Sequence, residues 1–471
     1  MRLDNVNRIQ IKGDHHRAVN LYRKYLDKRP DDALAELLLG SAFLQMGEIG
    51  QGADYIQRAL KKAPDLITGY VNLVAALRMS GRLEEALAIG SEALERFSGA
   101  EGKARKELKS LYTNTGTCYL ELGSLGKAEE SFRKAIEIDP EDSDAHWNLG
   151  LAFLGQCKFK EGWQEYGWGF RSSERLARPY WNEFKEWTGE PLKGKTILVW
   201  GEQGIGDEML FANCLKDIQR DAKAVIFDCH PRLQPLFQRS FPSIKCIGTR
   251  KNNMPGIFDN YALSIDYHVP IGNLPAHYRN SPESFPDRSY LKADPKAVQR
   301  WREQIGPGVN VGISWQGGLQ KTNSYKRSFP LEKLLPLFKK FQKEGVNWVS
   351  LQYGRVFDEV IDLENSHGVK IQHYDWALED YTETANLTAA CDIVVSVITA
   401  VVHLAGALGV PTLVMVPVAP PWKFVEGEKM PWHPSIKQIH QEKMFAWDGA
   451  LSKIETELDS FLKGASCKKQ P

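Results

Sequence analysis

A glycine-rich turn near the middle of the chain has the residue types and spacing of a ligand-binding loop. The apolar run Thr196–Trp200 is followed by Gly201-Glu202-Gln203-Gly204-Ile205-Gly206-Asp207, and a helix is predicted from about Glu208. Glycines at a strand-to-helix turn let the backbone approach a ligand at the carboxyl end of a sheet. Their order differs from the G-x-G-x-x-G of dinucleotide-binding proteins. By itself the turn therefore predicts a ligand site without naming the ligand.

Motifs that would identify other chemistries are missing from the sequence. It has no G-x-x-x-x-G-K-[ST] phosphate loop, no H-E-x-x-H and no G-x-S-x-G. Its one D-x-D, Asp142-Ser143-Asp144, lies far from the glycine-rich turn, so a metal-bridged diphosphate is unsupported. The seven cysteines are scattered, odd in number and never spaced as C-x-x-C, which predicts free thiols rather than disulfides or a zinc site.

Short apolar segments that alternate with helical segments surround this turn and form two series. Strands that alternate with helices predict parallel sheets, and two series predict two Rossmann-like lobes with a cleft between them. The predicted strands are 196–200, 224–227, 244–247 and 261–265 in the first series, and 309–314, 348–352, 393–397 and 412–416 in the second.

The N-terminal third repeats itself. Gly13, Gly47 and Gly81 are 34 residues apart, and Gly123 follows after 34 residues plus an eight-residue insertion near 98–106. Small residues recur five positions after each turn, where two helices must approach closely, and prolines recur where the second helix should stop. The small residues are Ala18, Gly52, Ala86, Ala128 and Gly162, and the prolines are Pro30, Pro64 and Pro140.

This 34-residue period, with its recurring glycines, small residues and prolines, resembles the tetratricopeptide repeat. We expect about five helical pairs over residues 1–172, stacked into an α solenoid whose concave face suits an extended polypeptide. Asn72, Asn114 and Asn148 recur at one repeat position, where an amide ladder would hold a peptide backbone of a protein acceptor. The alternative is that asparagine is simply common at that position of such repeats.

Composition excludes several classes of protein. Hydrophobic residues make up 42% of the chain and charged residues 25%, which excludes wholesale disorder, and a net charge of +1 gives no global attraction to nucleic acid or anionic membrane. Residues 393–419 are long and apolar, but Gly409-Val410-Pro411 interrupts them, so we expect buried strands and a helix there. The N-terminus lacks the apolar run of a signal peptide, and the expected location is the cytoplasm.

Several segments of the second region, taken in order, resemble one enzyme family. They are Glu202-Gln203-Gly204-Ile205-Gly206-Asp207, Val311-Gly312-Ile313-Ser314-Trp315-Gln316-Gly317, Lys326-Arg327-Ser328, Ser350-Leu351-Gln352, Val402-His403-Leu404-Ala405-Gly406-Ala407-Leu408-Gly409-Val410-Pro411, Trp422-Lys423-Phe424 and Pro431-Trp432-His433-Pro434-Ser435. Together they are similar to bacterial tetratricopeptide-repeat proteins fused to a glycosyltransferase family 9-like domain, which is related to the lipopolysaccharide heptosyltransferases. The resemblance covers nearly all of residues 185–465.

The resemblance implies a GT-B fold of two lobes, 194–300 and 301–465, after an aromatic-rich junction at 173–193 and before a tail at 466–471. It implies inverting transfer from a nucleotide sugar without a metal or other cofactor. Asp207 falls at the family's general-base position, with Glu202 as the reserve candidate. The alternative for Asp207 is a helix cap.

The same resemblance implies which residues bind the donor. Lys326 and Arg327 lie where the family carries a cation for the donor phosphates, and Arg327 is preferred because its planar fork binds phosphate bidentately. The remaining donor-binding candidates are Gly204, Gly206, Trp315, Gln352, Thr399, Ala400 and His403. For Lys326 and Arg327, the alternative is a pair of solvated cations in a loop. For His403, the alternative is a buried histidine of the core. One position departs from the family, because Ile398 replaces the usual aspartate.

Three functions are compatible with these features. The first is a protein glycosyltransferase that modifies Ser or Thr of an acceptor held by the repeats, and similar fused proteins make flagellin a candidate acceptor. The second is a catalytically inactive scaffold that recruits partners, which Ile398 favours. The third is a lipopolysaccharide-type transferase, which would leave five peptide-binding repeats without a role.

Overall fold

The computed structural model describes residues 2–173, 184–249, 265–318 and 324–467. The chain divides into two compact units. The first comprises Met1–Phe153 and Glu165–Glu174, and the second comprises Leu154–Gln164 and Arg175–Pro471. The structure thus places the boundary differently from the sequence, which put residues 1–172 together, because 154–164 belong with the second unit.

Helices in antiparallel pairs occupy the described N-terminal third. They are α1 Leu3–Ile11, α2 His15–Leu26, α3 Ala33–Gln45, α4 Ile49–Lys62, α5 Ile67–Met79, α6 Leu83–Arg96, α7 Gly102–Glu121, α8 Leu125–Ile138, α9 Ser143–Gly155 and α10 Phe159–Tyr166. The predicted eight-residue insertion lies where α7 is extended to 20 residues.

The periodic glycines follow the first helix of their pairs and have backbone angles that favour glycine. Gly13, Gly47, Gly81 and Gly123 have φ between +73° and +89°, a left-handed conformation that costs other residues about 1–2 kcal/mol. Cys157, which lies 34 residues after Gly123, has a φ of +59°. The 34-residue period of the sequence is therefore a period of left-handed turns.

The small residues lie where the helices cross. Ala18, Ala86 and Ala128 are fully buried. A Cβ on Gly52 would lie 2.9 Å from the carbonyl oxygen of Gly40 on the neighbouring helix. The backbones of paired helices are therefore too close for larger side chains.

Two parallel sheets form the framework of the second unit. One contains β1 Lys185–Glu186, β2 Thr196–Trp200, β3 Ala224–Asp228, β4 Lys245–Ile247 and β5 Tyr267–Pro270, and the other contains β6 Val309–Ser314, β7 Val346–Ser350, β8 Ile371–Gln372, β9 Ile393–Val397, β10 Thr412–Val416 and β11 Ile436–His440. Their orders are β1-β5-β2-β3-β4 and β11-β10-β9-β6-β7-β8, and every neighbouring pair is parallel.

Helices lie between most of these strands, and one helix follows the last strand. They are α11 Ile205–Phe211, α12 Leu215–Asp221, α13 Gln234–Ser240, α14 Pro275–Tyr278, α15 Pro295–Ile305, α16 Leu335–Gln342, α17 Phe357–His367, α18 Asp375–Glu379, α19 Tyr381–Ala390, α20 Ala400–Leu408 and α21 Asp448–Cys467. All residues of β2, β9 and β10 are buried, in keeping with the apolar runs of the sequence.

The strand bounds show where the sequence pattern was sufficient. The predictions for β2, β6, β9 and β10 coincide with the structure. The strand predicted at 348–352 is observed two residues earlier, as Val346–Ser350. The strand predicted at 261–265 lies almost entirely outside the described residues, and the strand described nearby is Tyr267–Pro270. Trp181, in the aromatic-rich junction at 173–193, also lies outside the described residues.

The long apolar stretch at 393–419 forms β9, α20 and β10. Among the helices of the described residues, none is both long and apolar enough to span a membrane. The cysteines whose side chains are described are free thiols, namely Cys118, Cys157, Cys214, Cys229, Cys246 and Cys391.

Helix α8 offers a paired test of the close crossings. Ala128 is fully buried against Phe132 and Phe153, whereas Gly126 on the same helix is exposed with open space beside it. Ala128→Leu should lower the free energy of unfolding by about 1–3 kcal/mol because the extra methyl groups overpack the crossing. Gly126→Ala should raise it by up to about 1 kcal/mol because alanine favours a helix. Urea unfolding of both variants measures these opposite changes in the free energy of unfolding, and equal changes in the two variants would contradict this packing.

Candidate functional site

A cavity of about 480 Å³ lies between the carboxyl ends of β2 and β9 in the second unit. The first sheet contributes the start of α11, and the second contributes the start of α20 and the loop after β10. Of the predicted site residues, it brings together Gly204, Gly206, Asp207, Arg327, Thr399, Ala400 and His403. Seven candidates from three distant segments of the sequence thus line one cavity.

Asp207 has two contacts that bear on its role. It is the third residue of α11, and its Oδ2 accepts a hydrogen bond of 3.1 Å from the backbone N–H of Gly204, the residue before the helix. The N-terminus of a helix also favours a negative charge. Asp207 therefore caps α11 and at the same time presents its carboxylate to the cavity.

The other oxygen of Asp207 contacts Lys423, a residue that the sequence analysis did not assign to the site. The Lys423 Nζ pairs with Asp207 Oδ1, and each side chain is 18% exposed. Lys423 lies in the loop between β10 and β11, 216 residues from Asp207. The signal for it was the segment Trp422-Lys423-Phe424, but no spacing rule connects that segment to the glycine-rich turn.

Gly206 lets helices α11 and α20 approach each other. A Cβ on Gly206 would lie 3.2 Å from His403 Cδ2 and 3.5 Å from Ala400 Cα. Thr399 precedes α20 and its Oγ1 accepts a hydrogen bond of 3.1 Å from the N–H of Val401. The helix cap therefore occupies the N–H of Val401.

His403 is a neutral polar group in the cavity wall. Burial, and after it the positive charge of Lys423, lowers the pKa of His403 to about 3. Its Nδ1 lies 3.4 Å from Nε2 of His433, and burial also lowers the pKa of His433 well below its usual value. Both imidazoles are therefore uncharged at neutral pH. The sequence alternatives of cleft residue and buried histidine describe the same side chain, which is 5% exposed and lines the cavity.

Arg327 lies against the backbone of Gly318. A Cβ on Gly318 would collide with the Arg327 guanidinium, and the φ of +79° at Gly318 also favours glycine. Burial lowers the pKa of Arg327, while the phenol of Tyr353 acts in the opposite direction. An arginine remains protonated under such a shift, so Arg327 gives the cavity a positive charge.

Trp315 and Gln352, which were predicted as donor-binding residues, do not line the cavity as the structure describes it, and donor binding by them stays a prediction. Trp315 is fully buried in the core of the second sheet, with its Nε1 3.2 Å from both carboxylate oxygens of Glu359. Gln352 is 2% exposed. Its Oε1 accepts hydrogen bonds from the Ser314 hydroxyl and from the N–H groups of Trp315 and Gln316. It shapes the loop after β6.

Two further candidates lie outside the cavity lining as the structure describes it. Lys326 precedes Arg327 in a 3-10 turn but does not line the cavity. Glu202, the reserve base, is 8% exposed, and its Oε1 accepts a hydrogen bond of 2.9 Å from Gln203. Its carboxylate packs against Gly272, where no Cβ would fit.

The three asparagines of the repeats are engaged within or buried in the first unit. Asn72 Nδ2 donates to Ser41 Oγ over 2.8 Å, and Asn114 Nδ2 donates to the carbonyl of Val71 over 3.2 Å. Asn148 is 2% exposed. The Asn148 side chain therefore has almost no contact with solvent. Acceptor binding by the three asparagines, of which Asn72 and Asn114 are half-buried, stays a prediction.

Arg232 and Tyr381 also line the cavity, and no motif of the sequence pointed to either. The guanidinium of Arg232 donates to the carbonyl oxygens of Leu378 and Glu379 over 2.8–3.2 Å, at the end of α18. It also lies 4.8 Å from the centroid of the Tyr381 ring. Arg232 thereby connects the loop after β3 to the second sheet's helices.

Comparison with known proteins identifies the repeats. Residues 12–67 and 65–141 match the tetratricopeptide repeat family. The Protein FlbA of Caulobacter vibrioides is 27% identical over 95% of this chain and 82% of its own length. The human Protein O-mannosyl-transferase TMTC3 is 24% identical over 31% of this chain and 17% of its own length. A crystal structure of MamA is 21% identical over 36% of this chain and 94% of its own, with a TM-score of 0.32.

These matches establish tetratricopeptide repeats in residues 12–141. The FlbA match extends the similarity over nearly the whole chain, including the parallel sheets. The type IV pilus assembly protein PilF of Pseudomonas aeruginosa, 37% identical, covers 16% of this chain and 30% of its own length.

The neutral state of His403 makes stability depend on pH. As pH falls below about 6.5, the unfolded chain takes up a proton at this position while the folded chain does not until about pH 3. The free energy of unfolding should therefore decrease by about 1.4 kcal/mol per pH unit below 6.5 for this group. We expect a shallower decrease in His403→Gln, measured by denaturant unfolding at a series of pH values.

The matched control is His367→Gln, since His367 is exposed at the end of α17. The chain has two units, which can unfold in separate transitions. The transition to measure is the one that His403→Gln shifts. Identical pH slopes in the wild type and His403→Gln would contradict a neutral, buried His403.

Proposed function

We propose that the protein is a glycosyltransferase that moves a sugar from a nucleotide-sugar donor to a Ser or Thr hydroxyl of a protein acceptor. The observation that carries this proposal is the convergence of Asp207, Arg327 and His403 in one cavity at the carboxyl ends of two parallel sheets. In open α/β sheets, ligands bind at that end of the strands. The proposed architecture of this unit is GT-B, with the donor between its lobes.

The cavity supplies groups for each change in charge during transfer. The acceptor hydroxyl oxygen bonds to the anomeric carbon of the sugar as the bond from that carbon to the donor phosphate oxygen breaks, and the configuration inverts. The Asp207 carboxylate takes the hydroxyl proton, as a general base. The nucleotide leaves with the electrons of the broken bond as a phosphate anion, which the Arg327 guanidinium stabilises. We propose that this transfer needs no metal.

The repeats are the proposed acceptor-binding region. Tetratricopeptide solenoids offer an extended surface on which a polypeptide can lie. The similarity to FlbA covers both the repeats and the sheets, which supports a common function for the two units. TMTC3, which is named a protein O-mannosyl-transferase, covers only about a third of this chain, and it supports an association of such repeats with transfer to protein. We propose flagellin as the acceptor and the cytoplasm as the location.

Ile398 favours a second function, a catalytically inactive scaffold. It is 3% exposed and lines the cavity beside Thr399. An apolar side chain cannot accept a hydrogen bond from a sugar hydroxyl, so the donor contact that an aspartate would make is lost. A scaffold would keep the protein partners of the repeats without any transfer.

Intact-mass analysis of flagellin co-expressed with this protein tests the proposed function. The wild type should add the mass of one or more sugars, and Asp207→Asn should slow the addition by about 10²- to 10⁴-fold, the usual contribution of a general base. Asparagine still caps a helix, so the folded protein should persist. Glu202→Gln tests the reserve base in parallel, and we expect its rate to be unchanged because Glu202 lies outside the cavity lining.

A full rate in Asp207→Asn would contradict its role as the base. An unmodified flagellin in the presence of wild-type protein, under conditions where repeats and flagellin bind each other, would favour the scaffold.

A further inference from the structure

The cavity holds more positive than negative charge. Arg232, Arg327 and Lys423 are the cations among its described lining residues, and Asp207 is the carboxylate. His403 adds no charge at neutral pH, since its pKa is lowered to about 3. The described lining therefore has a surplus of two positive charges, which suits a ligand with two negative charges such as a diphosphate.

The three cations differ in their freedom to meet such a ligand. Arg232 already donates to two main-chain carbonyl groups, and Arg327 is confined against Gly318. Lys423 instead contacts a single carboxylate, that of Asp207, through a flexible side chain with four rotatable methylene groups. Its ammonium can change partner without any movement of the backbone.

The backbone around Lys423 is firmly held. Trp422 packs edge-on against Trp163 and Trp432 at centroid distances of 5.6 Å and 5.7 Å. Phe424 on the other side is 4% exposed and lies 5.8 Å from the His403 ring. These neighbours fix the position of the Lys423 Cα beside the cavity, so only the side chain remains to move.

The present contact engages both oxygens of Asp207. Its Oδ1 contacts the Lys423 ammonium, and its Oδ2 accepts the Gly204 N–H. A carboxylate that takes a proton from an acceptor hydroxyl needs an oxygen directed at that hydroxyl. The free protein thus holds the proposed base in an engaged state, with a nearby anion site able to compete for Lys423.

We propose that Lys423 exchanges partners. Its ammonium moves from Asp207 to the diphosphate of the donor, and this frees Asp207 Oδ1 to take the acceptor proton. The catalytic half of this inference rests on the proposed function, whereas the exchange itself requires only a diphosphate ligand. Donor binding therefore makes the base available, because the ammonium that binds the diphosphate is the same one that leaves Asp207.

Calorimetry on the full chain with inorganic pyrophosphate tests the exchange in four proteins: wild type, Lys423→Met, Asp207→Asn and the double variant. Lys423→Met should weaken pyrophosphate binding by about ten-fold or more, the effect of losing a charged hydrogen bond. Asp207→Asn should tighten it several-fold, because Lys423 then has no competing partner. Lys423→Arg should retain most of the affinity, and Lys429→Met, at an exposed position outside the cavity lining, should change nothing.

The double variant separates exchange from simple neutralisation of Asp207. If Lys423 only neutralises Asp207, removing both charges restores wild-type affinity. If Lys423 binds the diphosphate, the double variant stays weaker than the wild type. Restored affinity in the double variant would overturn the exchange, as would unchanged affinity in Lys423→Met.

The same variants titrated with UDP, ADP, GDP and CMP distinguish failure of this inference from failure of the proposed function. Nucleotide binding that is insensitive to Lys423→Met would overturn the exchange and leave the transferase proposal in place. Pyrophosphate binding with the expected pattern, but without binding of any nucleotide, would support the exchange and count against the transferase. No binding of pyrophosphate or of any nucleotide by the wild type would overturn both.

Discussion

The candidate site depends on the close approach of two helix N-termini, α11 and α20. Each helix begins just after the carboxyl end of a central strand of its own sheet. Gly206 allows them to meet, because a Cβ there would press on His403 and on the backbone of Ala400. This contact brings Asp207 from one sheet and His403 from the other to the same cavity.

An aromatic cluster packs beside the Lys423 segment, which lines this cavity. The ring centroid of Trp163 lies within 6.0 Å of the ring centroids of both Trp422 and Trp432. Its Nε1 donates to the carbonyl of Arg279 over 2.8 Å. Residues 154–164, which the repeat pattern groups with the solenoid, are therefore part of the second unit's packing. A cut at residue 172 would therefore remove Trp163, whose ring packs against Trp422 beside Lys423.

Within the repeats, by contrast, one constraint recurs. Each helix pair needs a left-handed turn and a small residue at the crossing, so the sequence repeats glycine and alanine at fixed intervals. Asn72 and Asn114 donate to the preceding helix pair, which shows how a polar residue at a periodic position can serve the stacking itself. Periodicity alone does not distinguish that role from peptide binding.

The sequence by itself determined the repeat architecture, the parallel sheets and four exact strands, because turn glycines, crossing alanines and buried apolar runs depend on local geometry. The resemblance to a glycosyltransferase family singled out Asp207, Arg327 and His403, and the structure describes all three in the lining of one cavity. Only the tertiary structure decided that Trp315 and Gln352 are internal supports and that Lys423 contacts Asp207. The burial of a side chain and its partner 216 residues away result from how the two sheets pack, and no local spacing encodes that packing.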